Sequence, residues 1–204
     1  MTVKDRERLI QSDVEFQVDE TFQVPEVGPV VSGLLMSGLI KEGDCLKMGP
    51  LDDGSFTGVQ VSSLQRHKVA CRSVRAGESA TLALNRYNNQ TDLERNVRKG
   101  MVVIEMNDQK QSHQVCQYFQ ARIHVLFHAT MICPGFQTTV YIGNVRQTAI
   151  VIAIMGKKCI STNESASVMF RFIKQPEYIN TGCRLLFREG SAKGIGHVLQ
   201  VFPF

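Results

Sequence analysis

Alternation of apolar and polar residues, in short runs, dominates this chain and limits what it can become. From Asp13 onward, stretches rich in Val, Ile, Leu, Phe and Thr recur, each closed off by Gly, Pro, Asn or Asp. The first set is Val14–Val18, Val30–Met36, Cys45–Met48, Thr57–Leu64, Ala80–Leu84 and Met101–Glu105. The second is Tyr118–Phe127, Gln137–Ile142, Thr148–Met155, Ser165–Ile173, Arg184–Arg188 and His197–Phe202. Ala121-Arg122-Ile123-His124-Val125 shows the period of two expected of a half-buried strand. Many short strands with turn signals between them satisfy their edges by closing into barrels or by stacking as sandwiches.

The two sets are separated by Asn107–Val115, a polar stretch without periodicity that suits a linker. The expected organisation is a charged helical remnant or linker over 1–12, one β-domain over 13–106, the linker over 107–115 and a second β-domain over 116–204. Each half is long enough for a small barrel. Residues 86–99 read as a polar loop inserted before a strand.

Composition excludes some classes. Apolar content of 43% and charged content of 21% are ordinary for a soluble globular protein. No apolar run approaches the roughly 20 residues that span a bilayer, so no membrane partner is expected. The charged start Met1-Thr2-Val3-Lys4-Asp5-Arg6 is unlike a secretory signal, which points to the cytoplasm. The triplets Asn89-Gln90-Thr91 and Asn163-Glu164-Ser165 are then chance matches to a glycosylation site. Cys45, Cys71, Cys116, Cys133, Cys159 and Cys183 have no metal-knuckle spacing and are expected to be buried, reduced thiols.

Charge is distributed unevenly. Residues 13–106 hold 10 Lys/Arg against 13 Asp/Glu, a balance of −3, whereas residues 107–204 hold 10 against 4, a balance of +6. A half so short of acid suits a polyanionic partner, although spread-out surface bases would give the same count.

No catalytic or metal-binding set is found. There is no G-x-x-x-x-G-K-[ST] loop, and Gly190-Ser191-Ala192-Lys193-Gly194-Ile195-Gly196 has the wrong spacing for one. His124 and His128 would be ~13 Å apart on a strand, too far to share a metal. Two clusters do suggest binding. Arg66, Lys68, Arg72 and Arg75 fall within ten residues on a strand end and the loop after it, where they could neutralise phosphates or simply protect an edge. Phe187–Val198 places Lys193 at a glycine-rich turn between two strands, either a phosphate contact or a tight hairpin.

These clusters carry a resemblance. Val27-Gly28-Pro29-Val30-Val31-Ser32-Gly33, Ser37–Asp44 and Arg75-Ala76-Gly77-Glu78-Ser79-Ala80 are similar to the second domain of elongation factor Tu, as is the ending Arg98-Lys99-Gly100-Met101-Val102-Val103. Arg188-Glu189-Gly190, Gly194, Gly196 and Val198 match the end of its third domain. Phe16–Glu20, Val24–Gly28, Gly143-Asn144-Val145-Arg146-Gln147-Thr148-Ala149 and Phe187–Val198 more closely resemble the GTP-binding protein 1 and 2 family of elongation-factor-like GTPases.

That resemblance implies an all-β fold of two consecutive antiparallel β-barrels, elongation factor Tu domain 2-like then domain 3-like. It implies a GTPase domain upstream in the parent proteins, which binds GTP and Mg²⁺; neither the phosphate loop nor an N-K-x-D motif occurs in these 204 residues. No catalytic residue, metal site or cofactor is therefore expected here. It also implies RNA contact of the aminoacyl-tRNA type through Arg66, Lys68, Arg72, Arg75, Arg146, Arg188, Gly190, Lys193 and Gly194. Implied partners are the protein's own GTPase domain, tRNA or other RNA, and the ribosome or RNA-decay machinery. The alternative is a protein-interaction platform that does not bind tRNA directly.

Overall fold

The structure is a computed structural model that describes residues 3–87, 96–106 and 114–203. Most of the polar stretch 86–99 and of the stretch 107–115 lies outside the described residues. A short helix α1 (Val3–Ile10) leads into two compact units that divide near residue 107.

The first unit contains β1 (Glu15–Val24), β2 (Gly28–Ser37), β3 (Leu39–Lys41), β4 (Cys45–Gly49), β5 (Thr57–Arg66), β6 (Val69–Cys71), β7 (Ser73–Arg75), β8 (Ser79–Arg86) and β9 (Val102–Ile104). Six strands run in the order β4-β9-β1-β2-β8-β5, and pairing of β4 with β5 closes them into a barrel. Strand β6 extends β5 as a hairpin, and β3 pairs separately with β7. Alternate residues point inward, as the sequence pattern requires, so Phe16, Val18, Leu35, Met48, Val59, Val61, Leu82 and Leu84 are fully buried in one core.

The second unit contains β10 (Val115–Phe127), β11 (Gln137–Ile142), β12 (Val145–Ile154), β13 (Ser165–Phe172), β14 (Glu177–Tyr178), β15 (Arg184–Glu189) and β16 (Ala192–Pro203). Its barrel runs β13-β12-β11-β15-β16-β10 and is closed by the β10–β13 pairing, with β14 added on β10. Phe119 stacks on Phe170 with ring centroids 5.3 Å apart and tilts against Phe172 at 4.9 Å. Each such ring stabilises the fold by about 1.5–3 kcal/mol through burial alone. The protein is thus all-β, built of two consecutive antiparallel barrels.

One polar group shapes the second core. Gln147 is buried on β12, and its Oε1 accepts from the backbone N–H of Lys174 (2.9 Å) and Gln175 (3.3 Å). Its Nε2 donates to the Gln175 carbonyl (3.1 Å) and to Glu177 Oε1 (2.6 Å). One side chain thereby pins the connection between β13 and β14.

The structure corrects the expectation of six reduced thiols: Cys133 and Cys159 form a disulfide, with Cα atoms 4.4 Å apart. They are 26 residues apart, so no spacing motif announces them. The antiparallel bridge Ile132↔Ile160 makes them neighbours, because the next residue on one side then faces the previous residue on the other.

Candidate nucleic-acid interface

On the first barrel, β5 enters β6 through the two-residue turn His67-Lys68, with Arg66 paired to Val69. Both turn residues have positive φ, 51° and 65°, as a type I′ hairpin turn demands. Residues with a Cβ hold that conformation at a cost of about 1–3 kcal/mol each, which is why Asn and Gly are the usual occupants. The turn carries Lys68 into solvent. Arg66, just before it, is turned back: its Nη1 donates to Glu78 Oε1 at 2.7 Å. The other carboxylate oxygen of Glu78 accepts from the backbone N–H of Arg75 at 2.9 Å. Arg72 is exposed between β6 and β7, and Arg75 is exposed opposite Leu39 at the end of β7. Arg66 and Arg75 are joined through Glu78, while Lys68 and Arg72 flank opposite ends of β6.

On the second barrel, Arg188 and Lys193 are direct cross-strand partners on β15 and β16, and both point outward. Gly190 and Ser191 make the turn between them, with Gly190 exposed at φ 55°. Gly194 differs. It is buried, and a Cβ there would lie 2.2 Å from a Phe187 ring carbon and 2.7 Å from the His124 carbonyl oxygen. Its missing side chain makes room for Phe187 inside the barrel. Arg146, exposed at the start of β12, faces Tyr141 across the strand pair, with its guanidinium carbon 5.5 Å from the ring centroid. That cation–π distance favours a held, planar arginine.

Register brings together residues that the sequence left scattered. Arg184 pairs with His197, and His197 pairs with Arg122, so the three form one outward row across β15, β16 and β10. The next row holds Leu186, Ile195 and His124, with the leucine 53% and the isoleucine 43% exposed. Together they line a groove of about 680 Å³ with Ser165 at one side, whose hydroxyl lies 2.9 Å from His124 Nδ1. No spacing in the sequence could reveal this row, because it depends on how three separate strands align.

Carboxylates are few on this barrel. Among the described residues from 114 to 203 the acids are Glu164, Glu177 and Glu189. Glu164 accepts from Lys157 Nζ (2.7 Å) and from the Ser161 N–H (2.7 Å), and these hydrogen bonds hold its carboxyl below the ordinary range. Glu177 is buried against Gln147. Glu189 alone stands at the Arg188–Lys193 turn. Among the described residues no group of three or more His, Cys, Asp or Glu could hold a metal ion.

No family model matches the chain. Curated relatives do. The chain is 52% identical over 200 residues to GTP-binding protein 2 of Homo sapiens, a match that covers 97% of the chain and 32% of that relative. It is 40% identical over 191 residues to GTP-binding protein 1 of Xenopus laevis, covering 94% of the chain and 28% of the relative. Elongation factor 1-alpha of Pyrobaculum calidifontis is 23% identical over 168 residues, covering 82% and 35%. The chain spans about a third of the length of these relatives. With two barrels in sequence and this similarity along almost all of its length, the chain belongs to the elongation-factor-like GTP-binding protein 1 and 2 family.

Proposed function

We propose that these barrels are a non-catalytic RNA-binding region of a longer GTP-binding protein, contacting tRNA-type RNA in the cytoplasm and docking on the protein's own GTPase domain. The observation that supports this most is the outward β15–β16 ribbon, where Arg184, Arg188 and Lys193 share one face with His197 and are bordered by Arg122. Arginine forks and a lysine point charge neutralise phosphate oxygens and release counterions, and neither requires a particular base. The exposed Lys68 turn of the first barrel would add a second contact. GTP and Mg²⁺ belong to the GTPase domain of the parent. Hydrolysis there takes no residue from this chain.

The test is a titration of the chain against a tRNA and an unrelated stem RNA at two salt concentrations. Backbone contact predicts similar affinities for both and steep weakening with salt. Undetectable binding of either RNA at low salt would overturn the RNA reading.

A second reading has its own support. Leu186 and Ile195 are exposed side by side between the two cationic rows. An apolar centre with a cationic rim suits a protein partner, such as the GTPase domain, the ribosome or RNA-decay machinery. Binding through that centre would depend little on salt.

A further inference from the structure

The three connections β10–β11, β12–β13 and β15–β16 open at the same end of the second barrel. Phe127, the last residue of β10, is in register with Lys193, and Thr139 near the start of β11 pairs with Arg188. The β12–β13 connection returns to this end, where the Asn163 N–H donates to the Val125 carbonyl at 2.8 Å and the Val125 N–H donates to that of Glu164 at 2.9 Å. The same connection carries Lys157 and Lys158, directly before Cys159. The end that presents Lys193 therefore also presents the exposed Lys158, next to Lys157 in its ion pair with Glu164.

Two links fasten this segment: the Lys157–Glu164 ion pair at 2.7 Å and the Cys133–Cys159 disulfide. Ile132 and Ile160 exchange both backbone hydrogen bonds, at 2.8 and 2.9 Å. The residues next to such a pair face each other without hydrogen bonds, at a Cα separation near 4.5 Å. Cys133 and Cys159 occupy that position at 4.4 Å, and both are half-buried. The Ile132–Ile160 bridge and the bonds between His128 and Thr162 (2.9 and 3.0 Å) tie the two connections to the barrel alongside the disulfide.

We propose that Cys133 and Cys159 are a reversible thiol–disulfide pair that regulates RNA affinity by fixing or releasing the Lys157–Lys158 connection at the end of the barrel that carries Lys193. This rests on the RNA reading above. The exchange is a two-electron step. A glutathione thiolate attacks one sulfur, a mixed disulfide forms, and a second glutathione completes the reduction. Cys133 and Cys159 leave as two thiols, and the reductant leaves as its own disulfide. The oxidised form holds the lysines in place before RNA arrives, so less ordering remains to be done on binding.

The experiment equilibrates the chain in glutathione buffers of graded redox ratio. It follows Cys133 and Cys159 by alkylation and mass spectrometry, the Ile132 and Ile160 amides by hydrogen exchange, and affinity with a stem RNA. Expected are a reversible oxidation midpoint, faster exchange at both amides in the reduced form, and about threefold to tenfold weaker RNA binding on reduction. Cys133→Ser with Cys159→Ser should sit at the reduced affinity in every buffer. Full alkylation of both cysteines in the most oxidising buffer would overturn the proposal, as would equal RNA affinity of the two forms. If neither form binds RNA, the RNA reading fails and this regulation falls with it. Clear binding that ignores redox state sinks only the switch.

Discussion

Glu78 holds Arg66 and Arg75 together on the first barrel, taking the Arg66 guanidinium on one oxygen at 2.7 Å and the Arg75 N–H on the other at 2.9 Å. Part of the Arg66 charge is thus already balanced, whereas Lys68 stands two residues away on an exposed turn. Lys68→Ala is therefore expected to lower the salt slope of RNA binding more than Arg66→Ala does. Arg66→Ala should cost only about 0.5 kcal/mol of stability, the scale of a half-exposed ion pair. Paired salt titrations and urea melts check both. A larger loss of slope from Arg66→Ala would show that the arginine leaves Glu78 to meet RNA.

Gln147 uses both ends of its amide on the 174–177 connection, inside the second barrel. Gln147→Leu keeps the volume but removes the acceptor of two backbone N–H groups and a hydrogen-bond donor to Glu177. The expected loss is about 2–4 kcal/mol, from several polar groups left poorly satisfied together. Urea unfolding of the second barrel measures it, and a change below about 0.5 kcal/mol, the scale of an ordinary surface substitution, would contradict the assignment.

The Cys116 thiol is pushed up to about 12, first by burial and then by the Glu177 carboxylate. In the unfolded chain the same thiol ionises near 9.0. The folded state keeps its proton where the unfolded state loses it, so this group's contribution is intact below pH 9 and is lost progressively as pH rises toward 12. Two outcomes follow. Thiol reagents at pH 8 should label half-buried Cys45, Cys71 and Cys183 before Cys116. Cys116→Ala should flatten the alkaline fall in stability, and an unchanged profile would contradict the sign.

Much of the fold was legible in the sequence. Runs such as Ala121–Val125 alternate because one face is buried, and the strands lie where the alternation is strong. The three-residue strands β6 and β7 were not legible: Val69–Cys71 and Ser73–Arg75 are too short to show a period, and tertiary pairing alone makes them strands. At the site, single cations were visible but their partners were not. Arg66 looks free in sequence until the fold brings Glu78 to it. The Arg184–His197–Arg122 row and the Cys133–Cys159 pair exist only through register between distant strands. Gly194 reads in sequence as part of a turn, yet its role in the fold is to admit the Phe187 ring.

The central claim is that the second barrel meets RNA through phosphate contacts at the Arg188–Lys193 turn, and a salt series on the wild-type chain and Lys193→Ala tests it most directly. Thermal melts should show the variant folded, since an exposed lysine costs ~0.5 kcal/mol or less to remove. The account predicts that Lys193→Ala weakens binding to all stem RNAs alike and reduces the slope of log affinity against log salt by about 0.9, one phosphate contact. Clear wild-type binding with affinity and slope both unchanged in the variant would contradict it and leave the turn as a structural hairpin.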